Sequence, residues 1–431
     1  MQSQLDYRLT SLHPRLSDWT TVGYQQGAPP PNRPATISFP AGITTLTIPL
    51  KLLSGAVVKG QGRDQTILRC PSLLDVLGRG SWFAGGKTDA PGWSTGGGWL
   101  TASGVSEIGI EDLTIEFPAH TAEPHFYEVG YNAVFFSAVT HAWLRNVRFV
   151  NTDGGVLAYK SSQITLENVE ITHPHTTPNS EHHVGHYGVM FGRDCHHWLV
   201  DGLRVTHLIR HDTDVANGAN HNVVMRSAFK DYACSHHGGN PHHNLFTDIN
   251  AGAGTRFWFS GGGFSAMPHN GAGEVFWNVR KADGTPLGSL PPFSGSKYWR
   301  KDLAIIGHTQ NRLNTDLTKE WVEGIHPVDP SNLSLAQRGE ESVPTPVPLP
   351  VPVPPEDAMA FMPGDTVRTL EGVNVRQQPA LASTLLGTQP PNVTAVILEG
   401  PTKDPNSPWT YCRLDFGNGV DGWVGTNKLR Q

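Results

Sequence analysis

The strongest constraint on this chain is a segment type that keeps returning. IGIEDLTIEF (Ile108–Phe117), AWLRNVRFV (Ala142–Val150), ITLENVEIT (Ile164–Thr172) and WLVDGLRVT (Trp198–Thr206) alternate apolar and polar residues around a central Asp, Asn or Gly. VVMRSAFKD (Val223–Asp231), LFTDINA (Leu245–Ala251) and VFWNVRK (Val275–Lys281) repeat the pattern more loosely. With Asp112, Asn146, Asn168, Gly202, Arg226, Asp248 and Asn278 as centres, the intervals are 34, 22, 34, 24, 22 and 30 residues. A base period of about two dozen residues, lengthened here and there by insertions, is the mark of a solenoid. Alternation with period two makes each unit a set of strands with one face in a narrow core. Stacked coils also cover each other's strand edges.

Composition agrees with an all-β chain. Only 16% of the 431 residues are charged, while Gly (47) and Pro (34) are plentiful, which favours turns over helices. The net charge of −6, without a basic run, excludes the ordinary nucleic-acid binder. It does not exclude an acidic sugar polymer, which needs only a local cationic groove. The cysteines Cys70, Cys195, Cys234 and Cys412 are far apart, with neither a disulfide framework nor zinc-finger spacing. No apolar run reaches the length of a membrane span. The opening MQSQLDYRLTSLHPRL has no apolar stretch of signal-peptide type, so export by another route or prior loss of a leader is expected. ESVPTPVPLPVPVPPEDA (Glu341–Ala358) reads as an extended polyproline spacer. It divides a body, 1–340, from a module, 359–431.

From roughly Pro34 to Asn314 the body resembles the right-handed parallel β-helix of the pectate-lyase-like superfamily. The opening ITTLTIPLKLLSGAVVKGQGRDQTILRC (Ile43–Cys70) looks like the first coils of that fold. The resemblance implies a polysaccharide groove across one sheet, bordered by loop insertions such as Thr172–Gly185 and Gly261–Gly273. The module is similar to a bacterial SH3-like domain from Gly364 to Leu429. Val373, Asn374, Val375, Arg376, Pro379, Trp409, Gly422, Trp423 and Val424 carry that likeness. It implies a small β-barrel that binds a cell-wall or polymer ligand.

Of the 21 histidines, 14 lie between His173 and His243. Most are expected to be solvated loop residues. Residues one coil apart become axial neighbours about 4.8 Å apart. His186, His211 and His236 are spaced by 25 and 25, and Tyr187, Asp212 and His237 follow at the same interval. A column of polar side chains on the outer face of one sheet is therefore expected. Lys160 precedes it and Arg256 follows it, as cationic ends, while Trp258 and Phe257 offer a flat apolar face for a sugar ring.

These residue types suit β-elimination of a uronate-containing glycan, sulfated or not. The reaction needs a base near neutral pH, an acid for the leaving oxygen and a partner for the carboxylate. His211 or His236 is the expected base and Tyr187 the acid. Arg256 and His237 are expected to neutralise the carboxylate, with Lys160 as a substitute. His186, Asp212, Trp258 and Asp214 would line the substrate groove.

Three other readings compete. A glycoside hydrolase would use paired carboxylates, from Asp212, Asp214, Asp153 and Asp231. NTDGG (Asn151–Gly155) is similar to a motif of polygalacturonase-like enzymes, although the other signatures of that group have no counterpart here. A C5-epimerase would share the proton abstraction. A tailspike-like or adhesin protein would bind glycans without cleaving them. No cofactor is assigned from the sequence. Calcium or zinc is the open alternative, with His182, His183 and His186, or His196 and His197, as the imidazoles for zinc. The expected partners are an acidic polysaccharide and a ligand of the module, and the expected location is secreted or at the cell surface.

Overall fold

A computed structural model describes residues 13–25, 36–70, 96–125, 128–174, 176–178, 182–260, 268–295, 298–340, 363–364, 366–369, 372–380, 382–404 and 410–430. The chain divides into two compact units, Met1–Leu349 and Pro350–Gln431. The spacer Glu341–Ala358 and Trp409 lie outside the described residues.

The first unit is a right-handed parallel β-helix, as the repeat predicts. All seven repeat centres adopt left-handed backbone, with φ from 48° at Arg226 to 74° at Gly202. Such a residue turns the chain through a corner between two faces of a coil. Gly, Asn and Asp pay least for that conformation, which is why they mark the repeat. Asn146 Nδ2 donates to Asp112 Oδ1 at 2.8 Å, and Asn168 Nδ2 donates to Asn146 Oδ1 at 3.2 Å. The corners thus form a ladder along the axis. A second series of left-handed corners runs through His141, Gln163, His197, His221 and His243.

Inside, one column passes through Leu144, Leu166, Val200, Val224, Phe246, Phe276 and Ile305, each in register with the next. None is more than 5% exposed. Each such burial is worth about 1.5–3 kcal/mol. The outer side of the same strands is covered. Trp19 and Val22, with the helix Leu333–Gln337, pack on Leu199, Val223, Leu245 and Val275. That face is closed to a polymer.

The opposite sheet has seven parallel strands: Leu50–Leu52, Leu100–Ser103, Asn132–Ser137, Gly154–Tyr159, Tyr187–Phe191, His211–Val215 and Cys234–His236. All four cysteines are free and buried. Among the described residues no helix is long and apolar enough to cross a membrane.

The second unit is an antiparallel sheet of seven strands between Thr366 and Arg430. Val367, Val373, Val375, Ile397, Cys412, Leu414 and Val424 form its core, and Trp423 is half-buried rather than internal.

Candidate functional site

The site lies where the strands Gly154–Tyr159, Tyr187–Phe191 and His211–Val215 begin. Gly154 pairs with Tyr187, and Tyr187 with His211. Both amides at His186 and Tyr187 donate to Asp153 O, at 2.8 and 2.9 Å, and the His211 amide donates to His186 O at 2.9 Å. Coils approach closely at this point. A Cβ on Gly188 would stand 2.3 Å from Asp212 O. The glycine lets the chain jog, so that Tyr187 joins an outer cluster with Leu157 and Met190 while Val189 enters the main core.

Around this jog several side chains converge. Tyr187 stacks on His211 with ring centroids 5.4 Å apart. His237 stands edge-on to His211 at 5.0 Å and to Tyr187 at 6.3 Å. Its Nδ1 is held by Asp214 Oδ1. His186 lies 5.6 Å from His211, and its Nδ1 meets Glu128 Oε1 at 2.7 Å. His125 completes the group, with its Nε2 3.3 Å from His186 Nε2. At the mouth, Phe259 is 39% exposed and stacks toward His211 at 6.2 Å. The guanidinium groups of Arg210 and Arg256 lie 5.3 and 5.7 Å from its ring centre.

Electrostatics divides the roles. Burial, reinforced by His186 and Arg210, brings His125 down to about 3. Burial and the neighbouring His237 hold His186 and His211 well below the usual imidazole value. All three are neutral imidazoles at neutral pH. Burial and the nearby Asp214 raise Tyr187 well above the usual phenol value, so it stays protonated. Burial lifts Asp212 to about 7, and its Oδ2 accepts the Ala233 amide at 2.7 Å.

Several expected positions need correction. The spacing of 25 does not hold. His211 is in register with Tyr187 rather than His186, and Val215 with His236. The coil from Val215 to His236 is short, at 21 residues, and the slip turns His236 inward. It is fully buried, 4.5 Å from Trp299, with Nε2 3.6 Å from Glu274 Oε2. It cannot be the base. His211 is also fully buried, not on an open face. Trp258 is no platform: its Nε1 donates to Ser289 O, and the ring packs on Phe276 and Trp299. Phe257 is likewise core, so Phe259 is the exposed aromatic. Lys160 is exposed at a left-handed corner beyond the far end of its strand, away from the jog. Arg256 donates from Nη2 to Ile209 O and Arg210 O, bracing the turn before His211.

The carboxylates required by a hydrolase have other duties. Asp153 accepts the amides of Gly130 and Tyr131 at 2.7 and 3.0 Å, and Thr152 Oγ1 donates to Tyr131 O at 2.6 Å. NTDGG is therefore a clamp for the loop that carries His125 and Glu128. Asp231 holds Thr255. Of the zinc ligands proposed from sequence, His182 is exposed and His183 half-buried, while His196 and His197 contact each other through Nδ1 at 2.9 Å. His197, His221 and His243 stack along the second corner series at 5.4 Å. Part of the histidine excess thus builds a corner ladder and part of it the pocket.

Sequence reasoning missed His125, Glu128, Arg210 and Phe259. His125 and Glu128 lie 61 and 58 residues from His186. Their only signal was a segment between two repeat units that holds two histidines, His120 and His125, and two glutamates, Glu123 and Glu128.

No family model matches the chain, and neither does any curated protein. Solved structures with a similar course include the catalytic domain of a GH87 alpha-1,3-glucanase in complex with nigerose, at 12% identity, TM-score 0.32, covering 63% of this chain and 48% of that one. A hyperthermoactive exopolygalacturonase from Thermotoga maritima matches at 12% identity and TM-score 0.37, covering 67% and 78%. The A-module of a mannuronan C-5 epimerase from Azotobacter vinelandii matches at 13% identity and TM-score 0.29, covering 68% and 87%. The chain spans about half the length of the glucanase domain. Likenesses this distant carry no inference about chemistry.

Proposed function

We propose that the protein is a polysaccharide-acting enzyme, a lyase that cleaves a uronate-containing glycan by β-elimination. The observation that carries this reading is the grouping of the protonated Tyr187 with the Asp214-held His237, beneath an exposed Phe259 flanked by Arg210 and Arg256.

The aromatic ring and two guanidinium groups suit a sugar ring bearing a carboxylate. His237 is oriented by Asp214, as a general base requires, and takes the proton from C5. The electron pair forms the C4=C5 bond as the C4–O4 bond breaks, and Tyr187 donates its proton to the departing O4. Arg210 and Arg256 stabilise the charge that builds on the carboxylate. This assigns the base to His237 in place of His211 or His236. Of the carboxylates a hydrolase would need, Asp153 holds two backbone amides, Asp214 holds His237 and Asp231 holds Thr255.

We extend the proposal to a secreted or cell-surface location, where such polymers occur, and to the C-terminal unit as an SH3-like module that tethers the enzyme to a cell wall or bulk polymer. The test is incubation with a panel of acidic polysaccharides. Ultraviolet absorbance from an unsaturated uronate is expected. New reducing ends without that absorbance would replace the lyase with a hydrolase, and binding without either would make the protein an adhesin. Removing Pro350–Gln431 should spare turnover on soluble oligosaccharides and weaken retention on insoluble polymer.

A further inference from the structure

We propose that His125, His186 and His211 form a binding site for one transition-metal ion, zinc in the first instance. One ring nitrogen from each lies within 4.8 Å of the other two, and the three residues come from a loop and two successive coils. Two imidazole nitrogens on a tetrahedral zinc stand about 3.4 Å apart, given bonds of about 2.0–2.1 Å. The His125–His186 pair already meets that spacing at 3.3 Å.

A second observation is independent of the grouping. His211 is fully buried, and neither of its ring nitrogens has a hydrogen-bond partner among the described residues. A buried polar group in that condition is destabilising unless something is bound to it. An ion between the three rings would engage one of the two nitrogens.

Third, Glu128 Oε1 accepts from His186 Nδ1 at 2.7 Å. That bond fixes the tautomer and leaves Nε2, the nitrogen facing His125, as the ligand atom. A carboxylate behind a histidine is the usual outer support of such a centre. The group contains imidazoles only, which suits zinc or its neighbours and disfavours calcium or magnesium.

Three imidazoles leave a fourth position for water or a substrate oxygen. On the lyase reading, the ion would supply a Lewis acid beside Tyr187 and His237. The site itself does not rest on that reading, because the test below reads metal rather than turnover.

The untagged full chain is stripped with a chelator, incubated with Zn(II), dialysed and analysed for metal. Near one zinc per chain is expected, together with a higher melting temperature. Co(II) in its place should give the intense visible bands of a tetrahedral nitrogen site. His125→Ala, His186→Ala and His211→Ala should each abolish uptake, with circular dichroism showing which remain folded. His125 is half-buried on a loop, so its variant guards against the case where the other two unfold. Glu128→Gln should weaken binding about 10–100-fold. No uptake by the wild type would overturn the site. Retention of zinc in a folded His125→Ala, or its loss in His221→Ala or His243→Ala on the corner ladder, would also overturn it.

Discussion

The ring of His236 packs 4.5 Å from that of Trp299 inside the coil, although its neighbour His237 faces the pocket with Asp214. Adjacent residues on a strand point to opposite sides, and here one side is core. His236→Ala should therefore lower stability by about 2–4 kcal/mol, through a cavity and the loss of an imidazole 3.6 Å from the buried Glu274 carboxylate. Turnover per folded molecule should hold. Urea unfolding beside initial rates checks this, and a large rate loss at unchanged stability would return His236 to the site.

Tyr187 and His237 carry the proposed proton transfers. Tyr187→Phe keeps the ring that stacks on His211 and removes only the hydroxyl. Turnover should fall about 100-fold or more, the usual contribution of a positioned acid, with KM little changed. Asp214→Asn should act on the same parameter by releasing His237. Rates equal to wild type in Tyr187→Phe would remove the phenol from the mechanism.

The corner ladder contributes stability without chemistry. Asn146→Ala loses the bond to Asp112 and puts a less tolerant residue at φ 53°. A cost of about 1–2 kcal/mol is expected. Asn146→Gly should recover the backbone part alone, so its midpoint in denaturant should fall between those of wild type and Asn146→Ala.

Acid should destabilise the body through His173, which is buried with Nε2 2.7 Å from Thr152 O. Burial lowers its pKa to about 4, against about 6.5 in an unfolded chain. As pH falls below 6.5 the unfolded chain takes the proton first, so stability drops until about pH 4 and levels off there. The full effect is on the order of 3 kcal/mol. His173→Gln should flatten the decline in melting temperature across that window. An unchanged slope would show that other groups govern it.

Read from sequence alone, the repeat determined the coil. Alternation dictates strands, and Asp112, Asn146, Asn168 and Gly202 mark corners because few residues tolerate left-handed backbone. Those are local preferences, and each unit states its own. Only the tertiary structure decided which histidines meet. The interval from one coil to the next is 24 residues at Tyr187–His211 and 21 at Val215–His236, and a slip of one residue moves a side chain from groove to core. Likewise His125 and Glu128 reach the pocket through the clamp that Asp153 places on their loop, a contact between distant parts of the chain that no local pattern encodes.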